Sequence, residues 1–296
     1  MSAPSPSLPP RTIGLIGGSG LMGSMFRPLF EADGHEVLVA GRRTELTYEA
    51  LAARADVVIV VVPIEETVPL IRRIAPHLRP GALLSDFTSI KEGPVAAMLE
   101  TSAHVIGCHP IFGPMADVAG QNVVLCPERP GPYLTWYRGF FERHGMRVAE
   151  MSPLEHDRVM AYVQGLTHFI NIAFARTLAS EQVDLGKVMQ VCSPVYRMFF
   201  AVLSRILVGD PHLYGQMQVT NPQNRPVVSA FLRNGEELLA RIAADDREGF
   251  YRLFSQAADY LGDYKRVARE ESDFLVAQLR DFVARRSESG EGQGEN

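Results

Sequence analysis

The sequence has little of what membrane-spanning, disulfide-stabilised or zinc-binding proteins need. No apolar run reaches the roughly 18 to 20 residues of a membrane span, and the Pro- and Ser-rich start, residues 1–10, lacks the regions of a signal peptide. We therefore expect a cytoplasmic protein. The cysteines are widely spaced in apolar surroundings, which favours reduced core thiols over a disulfide framework or a metal site. They are Cys108, Cys126 and Cys192.

Basic residues are neither numerous nor clustered. The formal net charge is -5, and only three of the 29 basic residues are lysines, namely Lys91, Lys187 and Lys265. Because phosphate backbones are bound by basic surfaces, nucleic acid is not expected as a partner. Arginine is the ordinary surface cation here, so a single arginine carries less information than a lysine such as Lys91.

The first half contains apolar runs that predict a parallel sheet. With 296 residues, of which 46% are hydrophobic, the chain is long enough for two domains. Runs without alternation indicate strands that are covered on both faces. The predicted strands are residues 12–16, 36–40, 56–63, 82–87, 104–107, 122–126 and 146–149. We predict a Rossmann-like, doubly wound α/β domain with a mostly parallel sheet over residues 12–151.

The second half is predicted to be helical. Ser152 to Glu155 has the spacing of a capping box, and apolar residues then recur on nearly every face as far as Leu178. Such a helix needs burial all round, so we expect an all-helical domain over residues 152–286 that also forms a homodimer. Its further predicted helices are residues 188–208, 226–244 and 247–285. Residues 1–11 and 287–296 are expected to be disordered.

A glycine-rich segment joins the first predicted strand to a helix over residues 21–32. Residues 18–23 have the pattern Gly-x-Gly-x-x-Gly, and we predict that they bind the cofactor: Gly18, Ser19, Gly20, Leu21, Met22 and Gly23. Glycines permit the turn and close backbone approach, while the helix N-terminus receives a pyrophosphate. A nicotinamide cofactor is therefore predicted. A turn without a ligand, and FAD or another nucleotide, are the alternatives.

The end of the second strand favours NADP over NAD. An NAD site usually has an acidic residue there for the ribose hydroxyl, whereas this chain offers Arg42 and Arg43. Two guanidiniums suit a 2′-phosphate. The alternative is that both arginines are simply solvated.

His109 is the candidate general base. It follows the predicted strand 104–107, at the edge where ligands bind in open α/β sheets. A neutral imidazole can accept a proton from an alcohol as hydride leaves the carbon. Pro110, Gly113 and Pro114 restrict the backbone around it. A structural histidine is the alternative reading of the residue alone.

Residues 107–114, GCHPIFGP, together with the glycine loop upstream, resemble the prephenate dehydrogenase family. The resemblance covers roughly residues 12–270 and includes the helix start Glu155-His156-Asp157. It implies the oxidative decarboxylation of prephenate to 4-hydroxyphenylpyruvate in tyrosine biosynthesis, with hydride transfer to NAD(P)+ and His109 as base. No metal site is expected.

Residues 86–91, DFTSIK, are similar to a second family segment. By that resemblance Ser89 helps to hold the reacting hydroxyl and His109, and Lys91 is a cation of the substrate site. The alternative is that Thr88 or Ser89 merely caps the following helix.

Substrate carboxylates require cationic donors from the helical half. Arg205 is the only charge in the apolar stretch 198–208, where an unpaired charge is expensive. It is either a structural ion pair or, as the resemblance implies, a clamp for a prephenate carboxylate, with Arg197 and Tyr214 as further contributors. His168 is either a core histidine or a substrate contact. We interpret His156 as structural.

Arogenate or 4-amino-4-deoxyprephenate are alternative substrates, although His109 favours one with a ring hydroxyl. The β-hydroxyacid dehydrogenases would require a Gly-x-x-Gly-x-Gly-x-x-x-Lys helix, which the sequence lacks. If the chain is not an enzyme, the alternative is a non-catalytic sensor that binds NADP. Only about a dozen residues precede the first strand, so we do not expect the chorismate mutase domain that is fused to some relatives. We do not expect a regulatory ACT domain either, because nothing after the predicted helical domain could form one.

Overall fold

The structure is a computed structural model that describes residues 10–288. The chain divides into two compact units. The first comprises Met1–Gly165 and His212–Asn224, and the second comprises Leu166–Pro211 and Arg225–Asn296. The first unit therefore includes a short segment from the C-terminal half of the sequence.

The first unit contains a seven-stranded sheet in the order β2-β1-β3-β4-β5-β6-β7. Its strands are β1 (Thr12–Ile16), β2 (Glu36–Ala40), β3 (Val57–Val60), β4 (Leu83–Asp86), β5 (His104–Pro110), β6 (Asn122–Arg129) and β7 (Arg147–Glu150). Neighbouring strands are parallel, except that β6 runs antiparallel to β5. The predicted Rossmann-like, mostly parallel sheet is confirmed.

Helices cover both faces of the sheet. They are α1 (Leu21–Ala32), α2 (Tyr48–Arg54), α3 (Ile64–Ile74), α4 (Glu92–Leu99), α5 (Leu134–Arg143) and α6 (Pro153–Met160). One apolar cluster includes Phe26 and Phe140, and a second includes Leu51 and Ile71. All of β3 is buried, which explains why its sequence shows no alternation.

Helix α10 (Pro211–Thr220) also belongs to the first unit. Met217 is buried in a small apolar cluster with Ile64 and Ile90, and Tyr214 packs against that cluster. Ile64 begins α3 just beyond β3, and Ile90 follows β4. Helix α10 therefore lies at the carboxyl edge of these two strands.

The second unit is helical. Its helices are α7 (Thr167–Ser180), α8 (Leu185–Val191), α9 (Pro194–Leu207), α11 (Asn224–Ala243), α12 (Arg247–Leu261) and α13 (Tyr264–Glu288). Helix α9 contacts α7 and α13. The ring of Phe174 lies edge-on to those of Phe199 and Phe200.

Two helix predictions were wrong in their extent. The predicted helix 188–208 is α8 and α9, because Pro194 disfavours helical geometry at Ser193 and starts a new helix. The predicted helix 247–285 is α12 and α13, separated at Gly262, whose φ of 49° ends α12. Helix α10 was not predicted as a separate element.

The long helix predicted from Ser152 is interrupted in its hydrogen-bonding pattern. Residues Ala161–Leu166 form a π-helical stretch between α6 and α7. Ser152 caps α6 by accepting a hydrogen bond from the Glu155 amide at 3.3 Å, as its spacing predicts.

Most of the residues predicted to be disordered lie outside the described range. Ser287 and Glu288, which are described, belong to α13. Within residues 10–288, no helix has both the length and the apolar character needed to cross a membrane.

Candidate active site

The glycine-rich turn after β1 is shaped for a phosphate group. Gly17 has a φ of 83°, and a β-carbon there would lie 2.1 Å from the Val61 carbonyl oxygen. A β-carbon on Gly23 would lie 2.4 Å from the Cα of Gly18, so α1 closely approaches the turn. Helix α1 has no side-chain cap and no acidic residue in its first turn. Its N-terminus therefore suits an anion that takes the place of a cap.

The turn lies where the order of the strands reverses. Strand β1 is flanked by β2 on one side and β3 on the other, which makes its carboxyl end a topological switch point. The predicted cofactor residues Gly18 to Gly23 lie at this point. A dinucleotide fits here because the glycines leave the backbone open and α1 points its N-terminus at the turn.

The segment after β2 is a compact turn held by Thr44. The Thr44 hydroxyl accepts a hydrogen bond from the Gly41 amide at 2.8 Å and lies 3.0 Å from the Leu46 carbonyl oxygen. Arg42 and Arg43 are exposed on this turn. A β-carbon on Gly41 would lie 2.8 Å from the Ser19 hydroxyl oxygen, so the arginine turn adjoins the glycine loop.

His109 lies within β5 rather than after it, which corrects the predicted end of the strand at residue 107. Strand β5 continues to Pro110 because β6 pairs with it antiparallel and places Val124 opposite His109. The parallel partner β4 places Asp86 opposite Gly107. His109 therefore lies at the carboxyl edge of the sheet, where β4 has already ended.

His109 forms a buried hydrogen-bonded chain with two residues of α6. Its Nδ1 lies 2.8 Å from Nε2 of His156, and Nδ1 of His156 lies 2.7 Å from Oδ1 of Asp157. Side chains of these residues are at most 2% exposed. The interpretation of His156 as merely structural missed this contact. In the sequence, the one indication of a role for His156 was that it stands next to an aspartate near the start of a capped helix.

Asp157 also caps helix α4. Its carboxylate accepts hydrogen bonds from the Lys91 amide at 2.8 Å and from the Glu92 amide at 3.0 Å. These are amides of the helix N-terminus, so the cap comes from α6 and not from Thr88 or Ser89. Asn221, which follows α10, donates from its side-chain amide to the Asp157 carbonyl oxygen at 2.8 Å.

Lys91 is fully buried, and its ammonium has three hydrogen-bond acceptors. It forms an ion pair with Asp86 and donates to the Thr88 hydroxyl at 3.2 Å and to the Cys108 carbonyl oxygen at 2.9 Å. An ammonium has three N–H groups, so these contacts use its donors. The ammonium therefore has no N–H left over for the substrate, which does not favour the predicted direct binding by Lys91. Ser89, on the same segment, is half-buried.

Burial lowers the pKa of both paired histidines. For His109 the pKa lies well below its usual value because the imidazole is desolvated, and nearby His156 and Lys91 act in the same direction. Desolvation also lowers the pKa of His156, although Asp157 opposes the shift. Both rings are therefore neutral near pH 7, which is the state required of a proton acceptor.

The remaining predicted substrate residues are divided between the units. Tyr214 lies in the first unit, against the cluster at the carboxyl edge. His168, Arg197 and Arg205 lie in the second unit. Arg205 is exposed on α9, so the expected cost of a buried charge does not arise in the single chain. Burial lowers the pKa of His168. The substrate roles of these residues remain predictions.

Among the described residues, no group of three or more His, Cys, Asp or Glu side chains could hold a metal ion.

The glycine turn, the switch point and the buried histidine pair define a Rossmann-like dinucleotide-binding protein with a helical second half. Comparison with known proteins makes the assignment specific. The chain matches the nucleotide-binding domain of prephenate dehydrogenase over residues 33–150 and its dimerization domain over residues 152–256. It belongs to the prephenate dehydrogenase family.

Individual relatives agree with this assignment. The chain is 33% identical to the T-protein of Haemophilus influenzae over 270 residues, which cover 90% of this chain and 72% of the relative. It is 34% identical to a Methanocaldococcus jannaschii protein named "probable arogenate/prephenate dehydrogenase", over 92% of this chain and 66% of that one.

A solved structure shows the same fold. The prephenate dehydrogenase from A. aeolicus, in complex with hydroxyphenyl propionate and NAD+, superposes with a TM-score of 0.70 at 20% identity. The match covers 90% of this chain and 99% of that chain.

Proposed function

We propose that this chain catalyses the oxidative decarboxylation of prephenate to 4-hydroxyphenylpyruvate, with NAD(P)+ as hydride acceptor and His109 as general base. The hydrogen-bonded chain from His109 through His156 to Asp157 is the observation that carries the proposal. The name of the Methanocaldococcus jannaschii relative, "probable arogenate/prephenate dehydrogenase", supports the substrate class.

The buried chain fixes which nitrogen of His109 is free. An ionised carboxylate can only accept hydrogen bonds, so Nδ1 of His156 carries a proton and donates to Asp157. Nε2 of His156 is then an acceptor for the Nδ1 proton of His109. Nε2 of His109 is consequently left with a lone pair. The two histidines thus present one unprotonated nitrogen at the carboxyl edge of the sheet.

His109 would remove the proton of the ring hydroxyl through this nitrogen. The oxidised nicotinamide supplies the hydride acceptor when it is bound. As the hydroxyl carbon loses hydride, its oxygen loses the proton to His109 and a carbonyl forms. The bond to the ring carboxylate then breaks, carbon dioxide leaves, and the electrons of that bond aromatise the ring. The ring oxygen, now a phenolate, would take back the proton from His109 to give the hydroxyl of the product. Asp157, through His156, would stabilise the charge that His109 acquires.

The cofactor would lie across the carboxyl end of β1. Residues Gly18 to Gly23 would hold the pyrophosphate through backbone amides. Arg42 and Arg43, exposed beside Ser19, favour NADP over NAD because no carboxylate at the end of β2 occupies the place of a 2′-phosphate.

We assign Ser89 to the reacting hydroxyl and Arg205 to a carboxylate, with Arg197, Tyr214 and His168 as further contacts. A ring carboxylate and a side-chain carboxylate each suit a bidentate guanidinium. The contacts of Lys91 favour a different role for that residue.

We also propose that the active protein is a homodimer formed through its helical half. Large apolar side chains are exposed on its helices in the single chain, among them Ile242 at 65%, Phe254 at 69% and Phe274 at 64%. Such patches mark interfaces. Light scattering at decreasing concentration tests the assembly, and a monomer at every concentration would contradict it.

The reaction is tested by following reduced nicotinamide on adding prephenate, arogenate or 4-amino-4-deoxyprephenate to the purified protein, with NADP+ and NAD+ in separate series. We expect turnover with prephenate. Turnover only with an amine-bearing substrate would change the substrate but keep the chemistry. Cofactor binding without turnover of any of the three would instead support the non-catalytic sensor.

A further inference from the structure

Lys91 joins the two elements that carry the histidine pair. Through its ammonium it holds the Cys108 carbonyl oxygen at 2.9 Å, and Cys108 directly precedes His109 in β5. Through its backbone amide it holds Oδ1 of Asp157 at 2.8 Å, and that same oxygen contacts Nδ1 of His156. One residue therefore contacts Asp157 at one end of the hydrogen-bonded chain and the backbone directly before His109 at the other.

We propose that Lys91 is a positioning residue that sets the spacing and the tautomers of the His109–His156 pair. This inference rests on the proposed function, in which that pair presents the base. Lys91 would act on the reaction without touching the substrate. Its ammonium fixes the strand that carries His109, while its amide fixes the carboxylate that orients His156.

Burial and pairing favour this role over direct substrate binding. The Lys91 side chain and its ion-pair partner Asp86 are both 0% exposed. The Thr88 hydroxyl, which lies 3.2 Å from the ammonium, also donates to Asp86. A substrate carboxylate could reach the ammonium only by displacing one of three existing acceptors.

The first glycine of the GCHPIFGP segment gives independent support. A β-carbon on Gly107 would lie 3.1 Å from Cδ of Lys91 and 2.7 Å from a methyl group of Val95. The lysine stem therefore lies directly against the backbone of β5. Glycine at this position allows the stem to run close enough for its ammonium to reach the Cys108 carbonyl.

The charged surroundings of His109 must be kept balanced in a test. Lys91, directly before α4, and Asp86, at the end of β4, lie on one side of the pair, and Asp157 contacts it from α6. Removing the ammonium alone would leave the Asp86 carboxylate buried and uncompensated. The informative variant is therefore the double substitution Asp86→Asn with Lys91→Met, which removes both charges together.

The experiment measures steady-state kinetics and the ring nitrogen-15 NMR signals of His109 in substrate-free protein. In the wild type we expect Nδ1 of His109 to be protonated in one fixed tautomer. In the double variant we expect mixed tautomers and a fall in kcat of about 10-fold to 100-fold, as small misplacement of a catalytic group produces. KM for NADP+ and for prephenate should stay within about twofold. Lys187→Met, at an exposed lysine, is the matched control.

Two results would overturn the proposal. A kcat within about twofold of the wild type, with only the melting temperature lowered, would make Lys91 a residue of stability alone. A raised KM for prephenate at unchanged kcat would make it a direct substrate contact. If wild-type protein turns over no substrate, the proposed function fails, whereas the NMR signals still report on the positioning role.

A second variant avoids the loss of charge and serves if the double variant does not fold. In this variant Gly107→Ala is combined with Val95→Ala, which removes the methyl group nearest to the new β-carbon. The β-carbon then lies 3.1 Å from Cδ of Lys91 and displaces the lysine side chain, while every charged group remains. We expect the same fall in kcat and the same mixture of His109 tautomers. Val95→Ala alone is the control. Wild-type kcat and a single His109 tautomer in the combined variant would refute the proposal.

Discussion

Nδ1 of His109 lies 2.8 Å from Nε2 of His156, a buried contact between residues 47 positions apart in the sequence. One ring comes from a strand of the sheet and the other from the first helix after it. A pair of imidazoles can share one proton between them, so each ring determines the protonation of the other.

Replacing His109 tests the base. His109→Asn should lower kcat by roughly 10² to 10⁴, because the hydroxyl proton loses its acceptor. Affinity for NADP+, measured by fluorescence titration, should change by less than about twofold, since the glycine loop is untouched. His77→Asn, at an exposed histidine, is the control. Near-wild-type turnover of His109→Asn would remove it as the base.

Replacing Asp157 tests the tautomer chain. In Asp157→Asn the new amide can donate to Nδ1 of His156, which shifts the His156 proton to Nε2 and the His109 proton to the nitrogen that should act as base. We expect kcat to fall by about 10² or more, as in other sites where a base is held in the wrong tautomer.

Asp157→Asn also weakens the cap of α4, because the asparagine has one accepting oxygen for the two amides of Lys91 and Glu92. The matched control is therefore Asp184→Asn, since Asp184 caps α8 and has no histidine contact in the described structure. Asp184→Asn should leave kcat unchanged, because it changes a helix-capping carboxylate to an amide far from the histidine pair in the sequence. Equal kcat in the two variants would argue against the tautomer chain.

The lowered pKa of His109 predicts the acid limb of the rate profile. The usual pKa of histidine is 6.5, and burial together with the neighbouring His156 and Lys91 lowers the pKa of His109 below that value. The imidazole of His109 therefore remains neutral at pH 6.5. We expect kcat/KM for prephenate to be level through pH 6.5 and to fall only at lower pH. An acid limb centred at or above pH 6.5 would contradict the site.

The same shifts predict how stability depends on pH. In the folded protein His109, His156 and His168 have lowered pKa values, so the unfolded chain binds more protons once the pH drops below about 6.5. Their contribution to stability is present above that pH and is lost as the pH falls. The midpoint of thermal unfolding should therefore decrease from pH 7 to pH 5. His109→Asn should flatten this decrease.

Replacing both arginines after β2 tests cofactor choice. Arg42→Ala with Arg43→Ala should raise KM for NADP+ by about tenfold or more and leave KM for NAD+ within about twofold, because only NADP carries the 2′-phosphate. Arg72→Ala is the control, since Arg72 is an exposed arginine that pairs with Glu100. An equal change for both cofactors would show that the arginines do not read the 2′-phosphate.

Replacing Arg205 tests the carboxylate clamp. Arg205→Lys keeps the charge but loses the two-pronged geometry, so we expect KM for prephenate to rise by about tenfold with KM for NADP+ unchanged. The exposed Arg176 lies on α7, and Arg176→Lys is the control. An unchanged KM in Arg205→Lys would assign the carboxylate to another donor.

The sequence predicted the features that depend on local pattern. The boundaries of β1, α1 and β2 agree with the structure because a strand, a glycine turn and a helix cap leave local signatures. The end of β5 was misplaced because His109 stays in the sheet only through its pairing with β6. That pairing depends on residues far along the chain.

The site was only partly predictable for the same reason. His109 and Ser89 stand at strand ends, which a sequence reveals. His156 contacts His109 across 47 residues, and Asn221 contacts Asp157 across 64. No local spacing encodes either contact. The buried pairing of Lys91 was equally hidden, because a lone lysine looks like a ligand for anions until its neighbours are known.

The close approach of Lys91 to Gly107 has a consequence for related sequences. Two positions that share one small space should vary together, because a larger residue at 107 leaves no room for a long stem from 91. Relatives that replace the lysine and carry a residue smaller than valine at 95 should tolerate alanine or serine in place of the glycine, because the Val95 methyl group also lies 2.7 Å from a β-carbon at 107. Relatives that retain the lysine should not tolerate either residue. The GCHPIFGP and DFTSIK segments would then evolve as one unit despite lying on different strands.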